Sequence, residues 1–352
     1  MSDKIFDFNH LVLLVGTNPL PNFIVADYFL EHNENIETIW LIHSEDNNLQ
    51  AGTNIQADNL SKLLEKKWKG KKYKFEFLSL SDASHAKRIR DDIQEKMIKK
   101  LDERKEHRFH LNYTGGTKAM STHLYWILKK KIQTRGEKTY SYLDARNFRL
   151  VDDDSDDVIV SDLRNEVSIE FEKLIELHGF ECKQRKDPKN VREFEEFKNC
   201  IRQKNIDRKF PNGWVLEDYV FGLLEKNIKS RLNNKNGLLQ NPLIKRPGWR
   251  KNFELDVLIL HGYHLTGISC TLKDNMMECK WKGFEIIHRI RQIGGDESKV
   301  ILMTKLKSRD TKAVQDELIH ETGGSRKNIL AMGVDDLFKE KQLINKISKF
   351  IF

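Results

Sequence analysis

The sequence is poor in the residues that mark several classes of protein. Its 352 residues include only 4 cysteines and 6 prolines, and its 19 glycines follow no repeat. These counts exclude a disulfide scaffold, a collagen-like chain and a fully disordered chain. No apolar run approaches the roughly 20 residues that span a bilayer, and the first residues lack the basic-then-apolar order of a signal peptide. We therefore expect a protein without a membrane partner, whose thiols stay reduced in the cytoplasm.

The charged residues carry a small excess of positive charge. Lys and Arg number 61 and Asp and Glu 53, which gives a formal net charge of +8. Hydrophobic residues make up 39% of the chain, enough to build cores, and the length indicates two domains or one large one. The positive charge permits a nucleic acid as partner, but many basic proteins bind none, so function has to be inferred from motifs.

Short apolar runs typical of β-strands alternate with helical patterns in the first part of the chain. Strands are predicted at 9–16, 38–43, 73–80 and 109–112, and helices at 23–30, 55–68, 86–102 and 118–131. This alternation predicts an α/β fold with a mostly parallel sheet, in which ligands bind beyond the carboxyl ends of the strands. Polar turns at 16–18, 44 and 112–117 each follow a strand, so we expect all three at that edge.

A glycine-rich loop joins the last of these strands to its helix. The segment 112–120 reads NYTGGTKAM, and its two glycines allow the backbone to approach a ligand closely. Amide groups at a helix N-terminus attract anions, and the threonines and the lysine add further donors. The loop matches neither GxxxxGK[ST] nor GxGxxG, so it predicts neither nucleoside-triphosphate hydrolysis nor dinucleotide binding. By itself it would also fit an ordinary turn capped by threonine.

The NYTGGTKAM loop and the GTNP turn after the first strand together resemble the CARF domain of CRISPR-associated effectors, over about residues 8–150. The resemblance implies a Rossmann-like sensor domain at 1–151. Two copies in a homodimer would form one pocket for a cyclic oligoadenylate, with cyclic tetra-adenylate as the first candidate. The residues implied in ligand binding are Thr17, Asn18, Pro19, Ser44, Asn112, Thr114, Gly115, Gly116, Thr117 and Lys118.

The second part of the chain begins after an acidic run, DDDSDD, at 152–157. This run suggests a domain boundary, followed by a charged helical connector at 152–210 and a second α/β domain at 211–352. Strands are predicted there at 255–260, 263–270 and 299–304, and helices at 216–228 and 282–292.

Two carboxylates in this second domain stand in unusual places. Glu217 lies near the start of a helix, and Asp256 enters an apolar strand, where a lone carboxylate is costly unless it is paired or binds a metal ion. An aspartate in the turn before a strand is the structural alternative. Phosphodiester cleavage with Mg²⁺ needs clustered carboxylates to hold the cation and a lysine to stabilise charge or orient water.

The order of helix, hairpin and second helix around these carboxylates resembles the PD-(D/E)xK nucleases, and more closely the nuclease half of CARF-linked nucleases of the DUF1887 type. The resemblance implies a restriction-endonuclease-like domain in which Glu217 and Asp256 bind Mg²⁺ or Mn²⁺. Family members often carry Glu-x-Lys at the end of the second strand, whereas this sequence has SCT at 269–271.

Three explanations for this departure stay open. The missing groups have moved to the following helix, where Lys280, Lys282 and Glu285 reach the same site, with Glu285 completing the metal shell. Alternatively, Glu278 and Lys280 form a literal Glu-x-Lys on an irregular segment, although the local pattern is helical. In the third case the domain binds nucleic acid but no longer cuts it.

Together the two resemblances imply a homodimeric, cytoplasmic effector of type III CRISPR antiviral defence. A cyclic oligoadenylate would activate it allosterically as a metal-dependent endonuclease that hydrolyses DNA or RNA without base specificity. Two alternatives are a sensor whose nuclease domain is inactive and a ring nuclease whose CARF pocket degrades the activator. The choice between DNA and RNA, the type of cut and the ring size cannot be inferred from the sequence.

Overall fold

The computed structural model describes residues 6–46, 51–101, 106–131, 140–184, 191–206, 210 and 213–352. The chain forms two compact units: the first is Met1–Val167 with Glu176–Gly179, and the second is Ser168–Ile175 with Phe180–Phe352. Both combine helices with β-sheets, so the predicted α/β class is confirmed. Among the described helices none is long and apolar enough to cross a membrane.

The first unit alternates strands and helices along the chain. Its elements are β1 His10–Leu14, α1 Leu20–His32, β2 Thr38–Ser44, α2 Asn54–Lys67, β3 Lys74–Leu80, α3 Ala86–Lys96, β4 Phe109–Asn112, α4 Lys118–Lys131, β5 Tyr140–Asp144, β6 Arg149–Asp152 and β7 Val158–Val160. They include all four strands and all four helices predicted for this region. The sequence analysis did not identify β5, β6 and β7.

The sheet of the first unit has the strand order β3-β2-β1-β4-β5-β6-β7. The pairs from β3 to β5 are parallel, and β6 and β7 add antiparallel strands at one side. All five residues of β1 are buried, as expected for a central parallel strand covered on both faces. The strand order reverses between β1 and β4. In parallel sheets, ligands commonly bind at the carboxyl edge beside such a reversal.

The acidic run at 152–157 is the turn of a hairpin in this sheet. Asp152 ends β6, and its Oδ1 accepts hydrogen bonds from the amides of Asp154 and Ser155 at 3.1 and 3.0 Å. The first unit continues from this turn to Val167, beyond the boundary predicted at 151. The segment predicted as a connector at 152–210 is therefore shared between the two units.

The second unit contains two sheets. Its elements are α5 Phe171–Leu177, β8 Glu181–Gln184, α6 Val191–Arg202, α7 Trp214–Asn227, β9 Leu238–Gln240, β10 Pro242–Lys245, β11 Asn252–Glu254, β12 Val257–His261, β13 His264–Cys270, α8 Met276–Gly294, β14 Lys299–Met303, α9 Ser308–Thr322, β15 Ile329–Met332, α10 Val334–Leu337 and α11 Glu340–Ile351, of which α5 extends into the first unit. The larger sheet has the order β15-β14-β13-β12-β9, and the smaller one has the order β11-β10-β8.

The core of the second unit positions the two predicted carboxylates. The helix α7 buries Val215, Leu216 and Val220, which belong to the same core as Val257 and Ile268 of the central hairpin β12–β13. This apolar stripe recurs every three to four residues, which is the spacing of one helix face. A carboxylate in the first turn of α7 therefore lies beside the stripe, at the edge of the packed surface.

Candidate functional site

The turns that follow β1 and β4 meet at the carboxyl edge of the first sheet. A Cβ atom on Gly16 would lie 3.2 Å from the amide nitrogen of Gly116. A Cβ atom on Gly115 would lie only 2.0 Å from the carbonyl oxygen of Leu14, so only glycine fits at this position. Gly116 has a φ of +72°, a conformation that other residues rarely adopt. The glycines thus let the loop pass directly over the end of β1.

The buried polar residues of this edge hold the loops in place. Thr114 Oγ1 donates to Asn112 Oδ1 at 2.7 Å and accepts the amide hydrogen of Leu143 at 2.7 Å. Asn112 is fully buried, and its Nδ2 donates to Ser141 Oγ at 2.9 Å. Thr114 and Asn112 therefore brace the loop from below, because their polar atoms are engaged within the protein.

Another group of predicted residues lies at the solvent-facing rim. Thr17, Gly116, Thr117 and Lys118 are exposed, and Lys118 is the first residue of α4. Thr117 Oγ1 donates to the carbonyl oxygen of Ala83 at 2.7 Å and accepts the amide hydrogen of Met120 at 3.2 Å. The rim thus offers one ammonium group close to a helix N-terminus, where amides and the helix dipole favour an anion.

The remaining predicted residues hold the loops after β1 and β2. Asn18 Oδ1 accepts the amide hydrogen of Leu20 at 3.1 Å, and Pro19 is buried. The amide of Ser44 donates to Thr53 Oγ1 at 3.1 Å. Thr53 Oγ1 in turn donates to the carbonyl oxygen of Val15 at 2.8 Å, so it connects the two loops.

Two further residues of this edge were missed by the sequence analysis. One is Thr53, which bonds to Ser44 and Val15 from nine or more residues away in the sequence, so no local pattern predicts its role. The other is Asn22, which is fully buried and donates from Nδ2 to the carbonyl oxygen of Leu14 at 3.0 Å. Its Oδ1 has no hydrogen-bond partner and lies 3.0 Å from a Cβ position on Gly115. A lone asparagine in the apolar helix α1 was the available signal.

In the second unit, a cavity of about 600 Å³ collects charged residues from α7, α8 and the ends of β-strands. The lining residues are Ile206, Phe210, Gly213, Glu217, Asp256, Cys270, Thr271, Leu272, Lys273, Asp274, Glu278, Lys282 and Lys305. Three of the five residues predicted as catalytic, Glu217, Asp256 and Lys282, are among them. The sequence analysis did not assign Lys273, Asp274 and Lys305 to the site.

The two carboxylates influence each other in this cavity. Burial, followed by the charge of Asp256, raises the pKa of Glu217 to about 8. Burial also raises the pKa of Asp256, although its Oδ2 accepts hydrogen bonds from the amide of Cys270 at 2.6 Å and from Ser269 Oγ at 3.2 Å. These two donors favour the ionised form of Asp256 and oppose the effect of burial on its pKa.

Lys282 contributes a positive charge near Glu217 and Asp256. Burial lowers its pKa, but the hydrogen bond with Glu285 and the charges of Asp256 and Glu217 outweigh that effect, and its pKa is raised overall. The ammonium group lies 3.0 Å from Glu285 Oε2. Glu285 itself is exposed and does not line the cavity, so it contacts the site through Lys282.

Lys280 occupies a different position from the one predicted for it. Its ammonium group lies 2.7 Å from Glu317 Oε2 and 2.5 Å from Glu321 Oε1, both on α9. Its side chain does not line the cavity. Residues 278 and 280 both belong to the helix α8, so a Glu-x-Lys pair on an irregular segment does not form, and the two side chains point apart.

The donor set of the cavity fits a hard divalent cation in part. A Cβ atom placed on Gly213 would lie 3.7 Å from Glu217 Oε1 and 3.9 Å from the carbonyl oxygen of Cys270, so both oxygens lie near the same point. Desolvated carboxylate oxygens beside a carbonyl oxygen are the ligands that Mg²⁺ and Mn²⁺ prefer. However, no group of three or more His, Cys, Asp or Glu side chains is close enough to share an ion, as far as the described residues reach.

The segment Ser269–Cys270–Thr271 replaces the expected third carboxylate with hydrogen-bond donors. Ser269 and the amide of Cys270 bind Asp256, while the thiol of Cys270 is buried. Burial, reinforced by the charges of Asp256 and Glu217, raises the pKa of that thiol well above its usual range, so it stays protonated. The segment thus orients Asp256 and contributes no acidic side chain.

In sequence, comparison with known protein families finds a match in the first unit. Residues 10–164 match the family model described as the Card1 CARF domain. No curated protein matches the chain in sequence. The family match covers the Rossmann-like sheet and the glycine-rich loop, and it ends before the residues that line the cavity of the second unit.

Solved structures share the fold over nearly the whole chain. Can2 from Sulfobacillus thermosulfidooxidans, in complex with cyclic tetra-adenylate, is 17% identical, with a TM-score of 0.63 over 97% of this chain and 99% of that one. VC1899 from Vibrio cholerae is 12% identical, with a TM-score of 0.67 over 97% of this chain and 98% of that one. At these identities the likeness concerns the fold. The first unit therefore has the Rossmann-like fold of a CARF domain and is similar in sequence to the Card1 type.

Proposed function

We propose that this protein is a nuclease of type III CRISPR defence that a cyclic oligoadenylate activates and that needs a divalent cation. The observation that carries the catalytic part is the meeting of Glu217, Asp256 and Lys282 in one cavity of the second unit. Burial raises the pKa of both carboxyls, and desolvated carboxyls with raised pKa values in one cavity are typical of functional sites.

The proposed reaction is hydrolysis of a phosphodiester bond. A divalent cation bound by Glu217 and Asp256 would polarise the phosphate and lower the pKa of a water molecule. Asp256 is oriented for this task by the amide of Cys270 and by Ser269. Glu217 has to lose its proton before it can bind a cation. Lys282 brings a positive charge beside the phosphate, where negative charge grows in the transition state.

The first unit supplies the proposed sensor. Its carboxyl edge combines closely approaching glycines, a helix N-terminus and the exposed Lys118, which suit a ligand with one negative charge per phosphate. The family match and the complex of Can2 with cyclic tetra-adenylate support that class of ligand. We propose that two copies of the chain bind one ring in a cytoplasmic homodimer. By linkage, the ring must bind the cutting arrangement more tightly than the resting one.

A sensor that no longer cuts is the second candidate. Two observations favour it. The segment 269–271 carries no carboxylate where the nuclease pattern has its third one. Among the residues that the structure describes, no three His, Cys, Asp or Glu side chains converge on a point that could hold an ion. Glu278 and Asp274 line the same cavity and are the residues that would have to compensate.

One experiment separates the two candidates. Purified protein is mixed with Mn²⁺ and labelled single-stranded and supercoiled DNA and RNA, with and without cyclic tetra-adenylate. Cutting that requires both the cation and the ring would establish the effector and identify its substrate. Tight binding of the ring without any cutting, at every ring size, would establish the sensor. Slow loss of the ring without a cation would instead indicate a ring nuclease.

A further inference from the structure

The hairpin formed by β10 and β11, residues 242–254, has a strongly basic tip. Its loop reads RPGWRK at 246–251, and Lys245 precedes it, so four cationic residues and one tryptophan fall within seven positions. From 242 to 253 the hairpin contains no acidic residue. We call residues 242–254 the basic hairpin. The sequence analysis did not identify it.

The cations of the tip form no ion pair with any residue that the structure describes. Within the described ranges, no carboxylate lies within 4.0 Å of the charged groups of Lys245, Arg246, Arg250 or Lys251, whereas Lys280 and Lys282 both form ion pairs. All residues from 246 to 252 are exposed, and 60% of the surface of Trp249 is accessible. Four unpaired cations around an exposed aromatic ring form a surface that attracts polyanions with planar groups.

The base of the basic hairpin is well anchored. Ile244 is fully buried, and the ring of Phe253 meets that of Phe180 edge to face at 6.1 Å. The guanidinium group of Arg246 lies 5.4 Å from the rings of both Phe180 and Trp249. Trp249 is thus held at the tip by a cation–π contact while its surface stays open.

The basic hairpin is also connected to the cavity of the same unit. Five chain steps separate Lys251 from Asp256, so their Cα atoms are at most about 18 Å apart. This distance corresponds to about five base steps at 3.4 Å each. The guanidinium group of Arg289 stacks on Phe253 at 4.4 Å and belongs to α8, the helix that carries Lys282. The segment that follows the hairpin therefore contributes Asp256 to the cavity, and the helix α8, which contacts the hairpin, contributes Lys282.

We propose that the basic hairpin binds the nucleic-acid substrate on the side of Asp256. Arg246, Arg250 and Lys251 would contact backbone phosphates within about five nucleotides of the cleaved bond, and Trp249 would stack on an unpaired base. This inference rests on the proposed nuclease function and names the surface that holds its substrate. A nucleic acid fits better than an anionic membrane, because only five chain steps separate the tip at Lys251 from Asp256, which lines the proposed nuclease cavity.

The first test measures binding without cutting. The full chain is titrated against fluorescein-labelled single-stranded DNA and RNA 20-mers in EDTA, and anisotropy is followed from 50 to 200 mM salt. The triple variant Arg246→Gln/Arg250→Gln/Lys251→Gln should lower the slope of log affinity against log salt by about 2, because each phosphate contact to a single strand contributes about 0.7. An unchanged slope and affinity would overturn the proposal.

A charge-matched control guards against a general effect of net charge. Lys339→Gln/Lys341→Gln/Lys349→Gln removes three exposed charges around α11 and should leave the salt slope within experimental error of the wild type. Equal losses in both triple variants would overturn the proposal, since binding would then follow the net charge. Circular dichroism melting of each variant reports whether the fold is intact.

The tryptophan is tested separately. Trp249→Ala should weaken binding of both 20-mers about ten-fold, because stacking contributes of the order of a factor of ten per base, and Trp249→Phe should retain most of the affinity. Equal binding by the alanine variant would remove Trp249 from the surface. Vesicles of phosphatidylserine are the competing partner, and binding to them in place of the oligonucleotides would overturn the proposal.

The two proposals fail in different ways. If the wild type binds oligonucleotides through the basic hairpin but cuts none with Mn²⁺ and activator, the nuclease function fails and the binding surface stands. If the wild type cuts and the triple variant cuts and binds equally well, the binding surface fails and the nuclease function stands.

Discussion

The two units place polar groups in sites of opposite character. The first unit presents main-chain amides, glycines and one exposed lysine, and its polar residues Asn112, which is buried, and Thr114, which is half-buried, are hydrogen-bonded within the protein. The second unit instead keeps Glu217 and Asp256 in a cavity where burial raises the pKa of both and the charge of Asp256 raises that of Glu217 further. Apart from Asn22 Oδ1, the buried polar side chains described at the first site have partners within the protein, while the carboxylates of the second carry an electrostatic cost that a cation would relieve. Such a contrast is expected between a binding site and a reactive one.

The largest effect should come from Asp256. The substitution Asp256→Asn keeps the shape of the side chain but removes one ligand charge, so we expect cutting to fall by at least about 1000-fold, which corresponds to several kcal/mol of lost cation chemistry. Affinity for cyclic tetra-adenylate, measured by calorimetry, should stay at the wild-type value because the sensor lies in the other unit. Persistent cutting would show that the reactive site lies elsewhere in the chain.

The next effect separates two lysines of α8. Lys282→Gln should lower the rate of cutting about 100-fold to 1000-fold, since it removes a charge beside the reacting phosphate. Lys280→Gln should leave the rate within about threefold, because its ammonium group is bound to Glu317 and Glu321. Single-turnover cleavage with saturating Mn²⁺ and activator measures both. The reverse order would place Lys280 in the reaction.

A smaller effect is expected at the rim of the first site. Lys118→Ala should weaken binding of cyclic tetra-adenylate about 10-fold to 100-fold, the range for a hydrogen bond to a charged group, without changing the melting temperature. Thr114→Val should mainly lower the free energy of unfolding, by about 1–3 kcal/mol, because Asn112 and the amide of Leu143 lose a partner. If calorimetry instead finds wild-type affinity for Lys118→Ala, this lysine does not contact the ligand.

The smallest effect concerns pH. A folded-state pKa of about 8 for Glu217 lies above the ordinary value of 4.5, so the folded chain holds an extra proton between these values. Stability from this group is full below pH 4.5 and is lost as the pH rises through 8. In EDTA, the free energy of unfolding of the wild type should therefore fall relative to that of Glu217→Gln as the pH rises from 5 to 8.

Mn²⁺ provides the control for this measurement. A bound cation favours the ionised carboxylate, so saturating Mn²⁺ should remove the difference in pH dependence between the wild type and Glu217→Gln. Parallel pH profiles of the two proteins in EDTA would contradict the coupling between Glu217 and Asp256.

Local pattern alone predicted much of the fold. The strands β1 to β4 and the helices between them agree with the predictions within a few residues at most ends, because each has a strong apolar run or a helical spacing. The strands β5 to β7 were missed since they are short and lie beside an acidic run that suggested a boundary. In the second unit the hairpin β12–β13 was predicted, whereas α9, β15 and α11 were not.

The candidate sites, like the fold, could be predicted from the sequence only in part. The sequence by itself determined that a glycine-rich loop leaves a strand and opens a helix, and that Asp256 is an acidic residue in an apolar strand, because both are local properties. Only the tertiary structure decided which of the two predicted lysines of α8, Lys280 or Lys282, reaches the cavity. A Cβ atom on Gly283 would lie 2.4 Å from Leu318, so α8 packs closely on α9, and this contact turns Lys280 towards Glu317 and leaves Lys282 at the cavity.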